Sequence, residues 1–175
     1  SDEVVRRTAR LALDLGKTPV IVKVVAGFLV NRVLGPYLDE ALRLVGMGAD
    51  PSALDRALVG FGMPMGPAAL SDLTGIDINY HVNRTFAQHL GERWAVHPLF
   101  EAIYRTGCYG RKTGAGYLDY SVNPPVPNPK VVAAVGDYLK AHRVAPKKME
   151  AEAIVDVMLA AAINEAAYML EEGIC

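Results

Sequence analysis

Cysteine is scarce in this chain: two residues in 175, Cys108 and Cys175, far apart in sequence. That argues against a disulfide-stapled secreted fold and reads as two free thiols in a reducing cytosol. The four histidines, His81, His89, His97 and His142, show neither HExxH nor a Cys/His ligand spacing, so no metal centre is expected. Net charge is only -1 at pH 7, which favours neither a nucleic-acid partner nor an anionic membrane surface. No apolar run approaches the roughly 20 residues of a membrane span, and the polar start "SDEVVRRTARLALDLG" is not a secretory leader. Nucleotide signatures are missing: there is no GxGxxG, and "GRKTGAGY" (110–117) is not a Walker A sequence. No Ser-His-Asp or Cys-His arrangement can be argued. What is present is a chain 51% apolar and 21% charged, the composition of a globular protein, with a cytoplasmic location expected from its thiols.

Residues 3–15 read as an amphipathic helix, with Val4, Val5, Thr8, Leu11, Ala12 and Leu15 on one face and Gly16 as a stop. Val20 to Val25 reads as a strand, apolar on both faces except at Lys23. One short strand cannot satisfy its own backbone groups. The first 25 residues therefore read as the last helix and strand of a sheet lying elsewhere.

Beyond Gly27 the pattern is helical. Val30, Leu34, Tyr37, Leu38, Ala41 and Val45 form one stripe, with Asp39 and Arg43 paired away from it. Asp50-Pro51 opens the next helix as an N-cap followed by proline, and "GFGMPMGP" ends it. Further helices start near Pro67, Ile76 and Pro98. The glycine loop "GCYGRKTGAGYLDYS" and the proline-rich linker "VNPPVPNP" follow, then a helix over 129–142 and a last one from about Lys148. The fold class is mainly α.

A shift of 125 residues lays Val30, Leu34, Leu38, Glu40, Ala41, Leu44 and Gly48 onto Val155, Leu159, Ile163, Glu165, Ala166, Met169 and Gly173. The chain thus divides into 1–25, a remnant of another domain; 26–122, a full helical domain; 123–147, a linker and short helix; and 148–175, the opening of a second, truncated copy. Asn31 falls on Asp156, so its amide is outside the repeated pattern.

Asn31 is the odd residue in "GFLVNRVLGPYLDEALRL" (27–44). It could cap its helix or brace a loop. It could equally present a neutral amide to a substrate oxygen, where a charge would be costly in a dry site. Met63 and Met65 in "GMPMGP" could line an acyl pocket or simply pack a helix corner. Arg111 and Lys112 could hold an anion or sit on a surface loop whose glycines allow positive φ.

Taken in order, "KTPVIVKVVAGFLVNRVLGPYLDEALRL", "GMPMGPAALSDLTGIDI" and "GRKTGAGYLDY" resemble the C-terminal domain of 3-hydroxyacyl-CoA dehydrogenases, over residues 1 to about 120. The "INEAAYMLEEGI" helix resembles the start of a second copy, an arrangement similar to the α-subunit of bacterial fatty-acid oxidation complexes. The resemblance implies NAD-dependent oxidation of a (3S)-3-hydroxyacyl-CoA to the 3-ketoacyl-CoA by a His base oriented by a Glu. Both of those residues, with the NAD-binding turn, would precede residue 1. The fragment alone would then bind no NAD and catalyse nothing. The family's substrate-side asparagine falls on Asn31, and the "GMPMGP" corner would lie near the acyl chain and a subunit contact, in a homodimer. The family's loop often reads Lys-Gly-Phe after "KTG", where this chain has Ala115, Gly116 and Tyr117. The rival expectation is a stand-alone helical dimerisation module without enzymic activity.

Overall fold

The computed structural model describes residues 1–175. The helices are α1 (Asp2–Asp14), α2 (Val30–Gly46), α3 (Pro51–Phe61), α4 (Pro67–Thr74), α5 (Ile76–Leu90), α6 (Pro98–Tyr104), α7 (Pro129–Ala141) and α8 (Ala151–Glu171). Two-residue strands, β1 (Leu118–Asp119) and β2 (Val126–Pro127), pair antiparallel. Proline at N1 starts four of the helices, where a missing N–H costs nothing. Asp50 accepts from Ser52 N at 3.0 Å and Asn128 from Lys130 N at 3.0 Å, capping α3 and α7. The Asp55 carboxylate reaches across the "GMPMGP" corner and caps α4 through Ala68 N (2.8 Å) and Ala69 N (3.1 Å).

Helix α2 is the central element. Tyr37, Leu44 and Val45 are buried with Leu54 and Leu58 of α3, Leu99 and Ile103 of α6, and Ile154 and Met158 of α8. Each such side chain contributes roughly 1.5–3 kcal/mol by leaving water. Helices α2 and α8 run antiparallel: Arg32 at the start of α2 meets Glu172 just past the end of α8, and Gly48 O beyond α2 accepts from Lys147 N before α8 at 2.7 Å. The two helices related by the 125-residue shift are therefore packing partners, each covering apolar surface on the other.

Three expectations need correction. Residues 20–25 form no strand. They form an irregular segment with a bend at Val24, tied to the rest by Lys23 N donating to Ile174 O at 2.9 Å, and Val24 is 90% exposed. No neighbouring strand lies beside them, so no ladder forms. The expected Asp39–Arg43 pair does form, at 2.8 Å, with Asp39 buried because more than one side of α2 is covered. The "VNPPVPNP" stretch is not a free linker: β2 lies in it, and Asn128 at its end donates Nδ2 to Gly116 O at 2.7 Å. Finally, α8 at 21 residues is long and apolar enough, by length and composition alone, to cross a membrane. It packs on α2 and α3 and carries Glu165 buried within an ion-pair network. Helix α1 lies one residue earlier than the expected 3–15, and none of its residues is buried, which leaves Val4, Val5 and Leu11, with Leu15 just past its end, in solvent.

Candidate functional site

The turn ahead of α2 sets where Asn31 stands. Gly27 takes φ +80° and Phe28 φ +49°. For Phe28 that conformation costs on the order of 1–3 kcal/mol and persists only where the surroundings impose it. Gly27 lies flat on Phe86, where a Cβ would come within 2.6 Å of the ring. This strained turn delivers the chain into α2, and Asn31 is the second residue of that helix.

Leu29 occupies the N-cap and no side chain caps the helix. The side-chain hydrogen bonds at this end of α2 come from Arg32, not Asn31. The Asn31 amide is exposed and lines a cavity of about 220 Å³ between α2, α4 and α5. Leu34, Leu38, Leu42 and Phe100 supply apolar wall; Ser71, Thr74, Asn79 and Asn83 supply polar atoms. Two of these amides are engaged: Asn79 Nδ2 donates to Thr74 Oγ1 at 3.0 Å, and Asn83 Oδ1 accepts from Trp94 Nε1 at 2.9 Å. Asn31 keeps its donors free to bond an oxygen on a ligand entering the cavity, a neutral contact suited to a carbonyl or hydroxyl.

Arg32, the next residue, is 2% exposed. Its Nε donates to Glu165 Oε1 and its guanidinium reaches Glu172 Oε2 at 3.1 Å. Arg93 completes the network with Glu165 Oε2 at 3.3 Å and Glu172 Oε1 at 2.5 Å, and stacks 4.1 Å from the Tyr168 ring. The hydrogen bond from Arg93, joined by Arg32, holds the Glu172 carboxyl below the usual range. This network fastens the start of α2, and so the helical turn that carries Asn31, to α8. Its sequence signal was an arginine among Leu, Val and Phe, one place after the asparagine that drew attention.

The other candidates sit apart from this cavity. Met63 and Met65 are half-buried at the α3–α4 corner and do not line it. Arg111 lies 5.3 Å from the Tyr120 ring, and Lys112 pairs with Asp77 at 2.5 Å. Lys112 comes nearest the cavity, beside Gly75 and next to Thr74. The glycine loop is organised by a residue that sequence reasoning missed. Asp72 of α4 is buried and accepts from Tyr117 N (2.8 Å), Leu118 N (2.9 Å) and Tyr120 Oη (3.0 Å). Burial raises its pKa although these three bonds pull the other way. A Cβ on Gly116 would collide with that carboxylate, which accounts for glycine there. Tyr117, anchored by this contact, forms part of the cavity wall, and burial pushes its phenol up.

Residues 27–120 match the family described as 3-hydroxyacyl-CoA dehydrogenase, C-terminal domain. The fatty acid oxidation complex subunit alpha of Idiomarina loihiensis is 37% identical over 175 residues, covering 99% of this chain and 24% of that protein. The protein of the same name from Vibrio cholerae is 35% identical with the same coverage. The chain thus spans 24% of the length of these curated relatives. Among solved structures, the (S)-3-hydroxybutyryl-CoA dehydrogenase of Ralstonia eutropha superposes with a TM-score of 0.65 at 34% identity, covering 70% of this chain and 44% of that one. The 3-hydroxybutyryl-CoA dehydrogenase of Escherichia coli superposes over 100% of this chain and 53% of its own with a TM-score of 0.78; at 22% identity this is a likeness of fold alone. A match across more than half of the chain, with a relative 37% identical along nearly all of it, shows that this chain belongs to the 3-hydroxyacyl-CoA dehydrogenase C-terminal domain family.

Proposed function

We propose that this chain is the substrate-facing C-terminal part of an NAD-linked enzyme that oxidises a (3S)-3-hydroxyacyl-CoA to the 3-ketoacyl-CoA in fatty-acid β-oxidation. The observation that carries the reading is Asn31: an exposed, unengaged amide lining an apolar cavity, in a family whose members act on acyl-CoA thioesters. In this reading Asn31 binds the reacting oxygen, or steadies the base that takes its proton. Arg111 and Lys112, on the glycine loop whose Lys112 lies beside Gly75, meet the phosphate-bearing end of the thioester. Met63 and Met65, away from the cavity, serve a subunit contact.

The residues here do not fit a dinucleotide site. Their only sheet is a pair of two-residue antiparallel strands, with no strand–glycine turn–helix unit. The nicotinamide site and the base are therefore assigned to a domain preceding these residues, with 1–25 as its tail, 26–122 as the substrate domain, 123–147 as a connector and 148–175 as the opening of a second copy. The uncovered face of α1 and the packing of α8 on α2 support that division. A homodimer fits the corner after α3, where Val59 and Phe61 are exposed beside Met63 and Met65, since a partner there removes apolar surface from water. A cytoplasmic enzyme is the setting that suits two free thiols.

The test is oxidation of NADH at 340 nm with acetoacetyl-CoA. Full-length protein turns over; the isolated chain does not. Silence from the full-length protein, or clear turnover by the chain alone, refutes the reading.

A further inference from the structure

The cavity beside Asn31 has a direction. Asn31, Leu34, Leu38 and Leu42 follow one another along one face of α2, and all four line it. Asn31 and Thr74 are exposed and Ile78 is 51% exposed, whereas Leu42 and Phe100 are 5% and 7% exposed. The amide end is therefore the mouth, and Leu42 with Phe100 closes the far end. From Asn31 to Leu42 the helix rises about 16 Å at ~1.5 Å per residue.

From this shape we propose that the cavity takes the hydrocarbon tail of the acyl group and that its closed end stops the gain from tail length at medium chains. The inference rests on the function proposed above. An engineered cavity of about 150 Å³ lined by Leu, Ile and Phe holds benzene, or roughly 25 Å³ per carbon. By that measure the 220 Å³ here holds about nine carbons. Even at the full C–C bond length of ~1.5 Å, nine carbons need under ~14 Å, so volume sets the limit rather than length. With C3 of the substrate held at Asn31, nine further carbons correspond to an acyl chain of about twelve. A sixteen-carbon chain would leave about four carbons outside the cavity, where they add no further burial.

The experiment measures kcat/KM of full-length protein for 3-hydroxyacyl-CoA substrates of four, eight, twelve and sixteen carbons. The expected profile rises to about twelve carbons and gains nothing further at sixteen. Leu38→Phe, which fills the middle of the cavity, should lower the twelve-to-four ratio at least ~10-fold, and Leu42→Ala should raise the sixteen-to-four ratio several-fold. Circular dichroism checks that each variant is folded, and the unmodified protein's profile tests the limit without any variant. A profile still rising at sixteen carbons, or ratios unmoved in both folded variants, overturns the assignment while leaving the dehydrogenase reading intact. Absence of turnover at every length would instead overturn that reading.

Discussion

Replacing Arg32 by methionine should cost more stability than its charge alone suggests. Arg32 and the Glu165 side chain are both buried, at 3% and 9% exposure. Removing one partner of a buried ion pair costs roughly 3–5 kcal/mol, because the other charge is left in a low dielectric. Here Arg93 still reaches Glu165 at 3.3 Å, but from a side chain 38% exposed and shared with Glu172. We therefore expect a loss of about 2–4 kcal/mol. For a chain of this size that corresponds to a fall in Tm of roughly 5–15 °C. The double variant Arg32→Met/Glu165→Leu should recover most of the loss, since an apolar pair of similar volume often matches a buried ion pair. Urea denaturation followed by circular dichroism, on the chain and both variants, reads these differences. A loss below about 1 kcal/mol in Arg32→Met, or a double variant no more stable than the single one, would refute the claim that this network fastens α8 to α2.

Two other predictions concern titration and assembly. Burial, reinforced by Asp55, pushes the Tyr37 phenol up to about 12, against roughly 10 in an unfolded chain. The group is protonated in both states below pH 10, so its contribution is fully present there and is lost as pH rises through about 12. Alkaline melts should show this decline, worth about 2–3 kcal/mol, and Tyr37→Phe should flatten it; an unchanged slope in Tyr37→Phe would rule out Tyr37 as its source. Sedimentation of the full-length protein at micromolar concentration should show a dimer, and a clean monomer would remove that part of the proposal.

The order of helices was legible because proline and Asx caps mark their starts locally. Pro51, Pro67, Pro98 and Pro129 act within one turn of the chain, so no tertiary information is needed to read them. The strand expected at Val20–Val25 failed for the opposite reason. β-branched residues supply propensity, but a strand exists only if another lies beside it. Asn31 stood out as an amide in an apolar stretch, but its cavity did not: the lining comes from α2, α4, α5 and α6 as well as the loop at Tyr117. Asp72 and Gly116 are 44 positions apart, and only the fold shows that one excludes a side chain on the other. Met63 and Met65 illustrate a limit of composition, since adaptable side chains at a turn look alike whether they face a ligand or a core.

Asn31→Ala in the full-length protein tests the central claim most directly, with kcat, KM and Tm measured together. In the proposed role, loss of one donor to the reacting oxygen should lower kcat roughly 100- to 1000-fold. Tm should move by no more than about 2 °C, because the amide is exposed and supports no internal contact. Unchanged kcat with a lowered Tm would contradict the account and make Asn31 a structural residue.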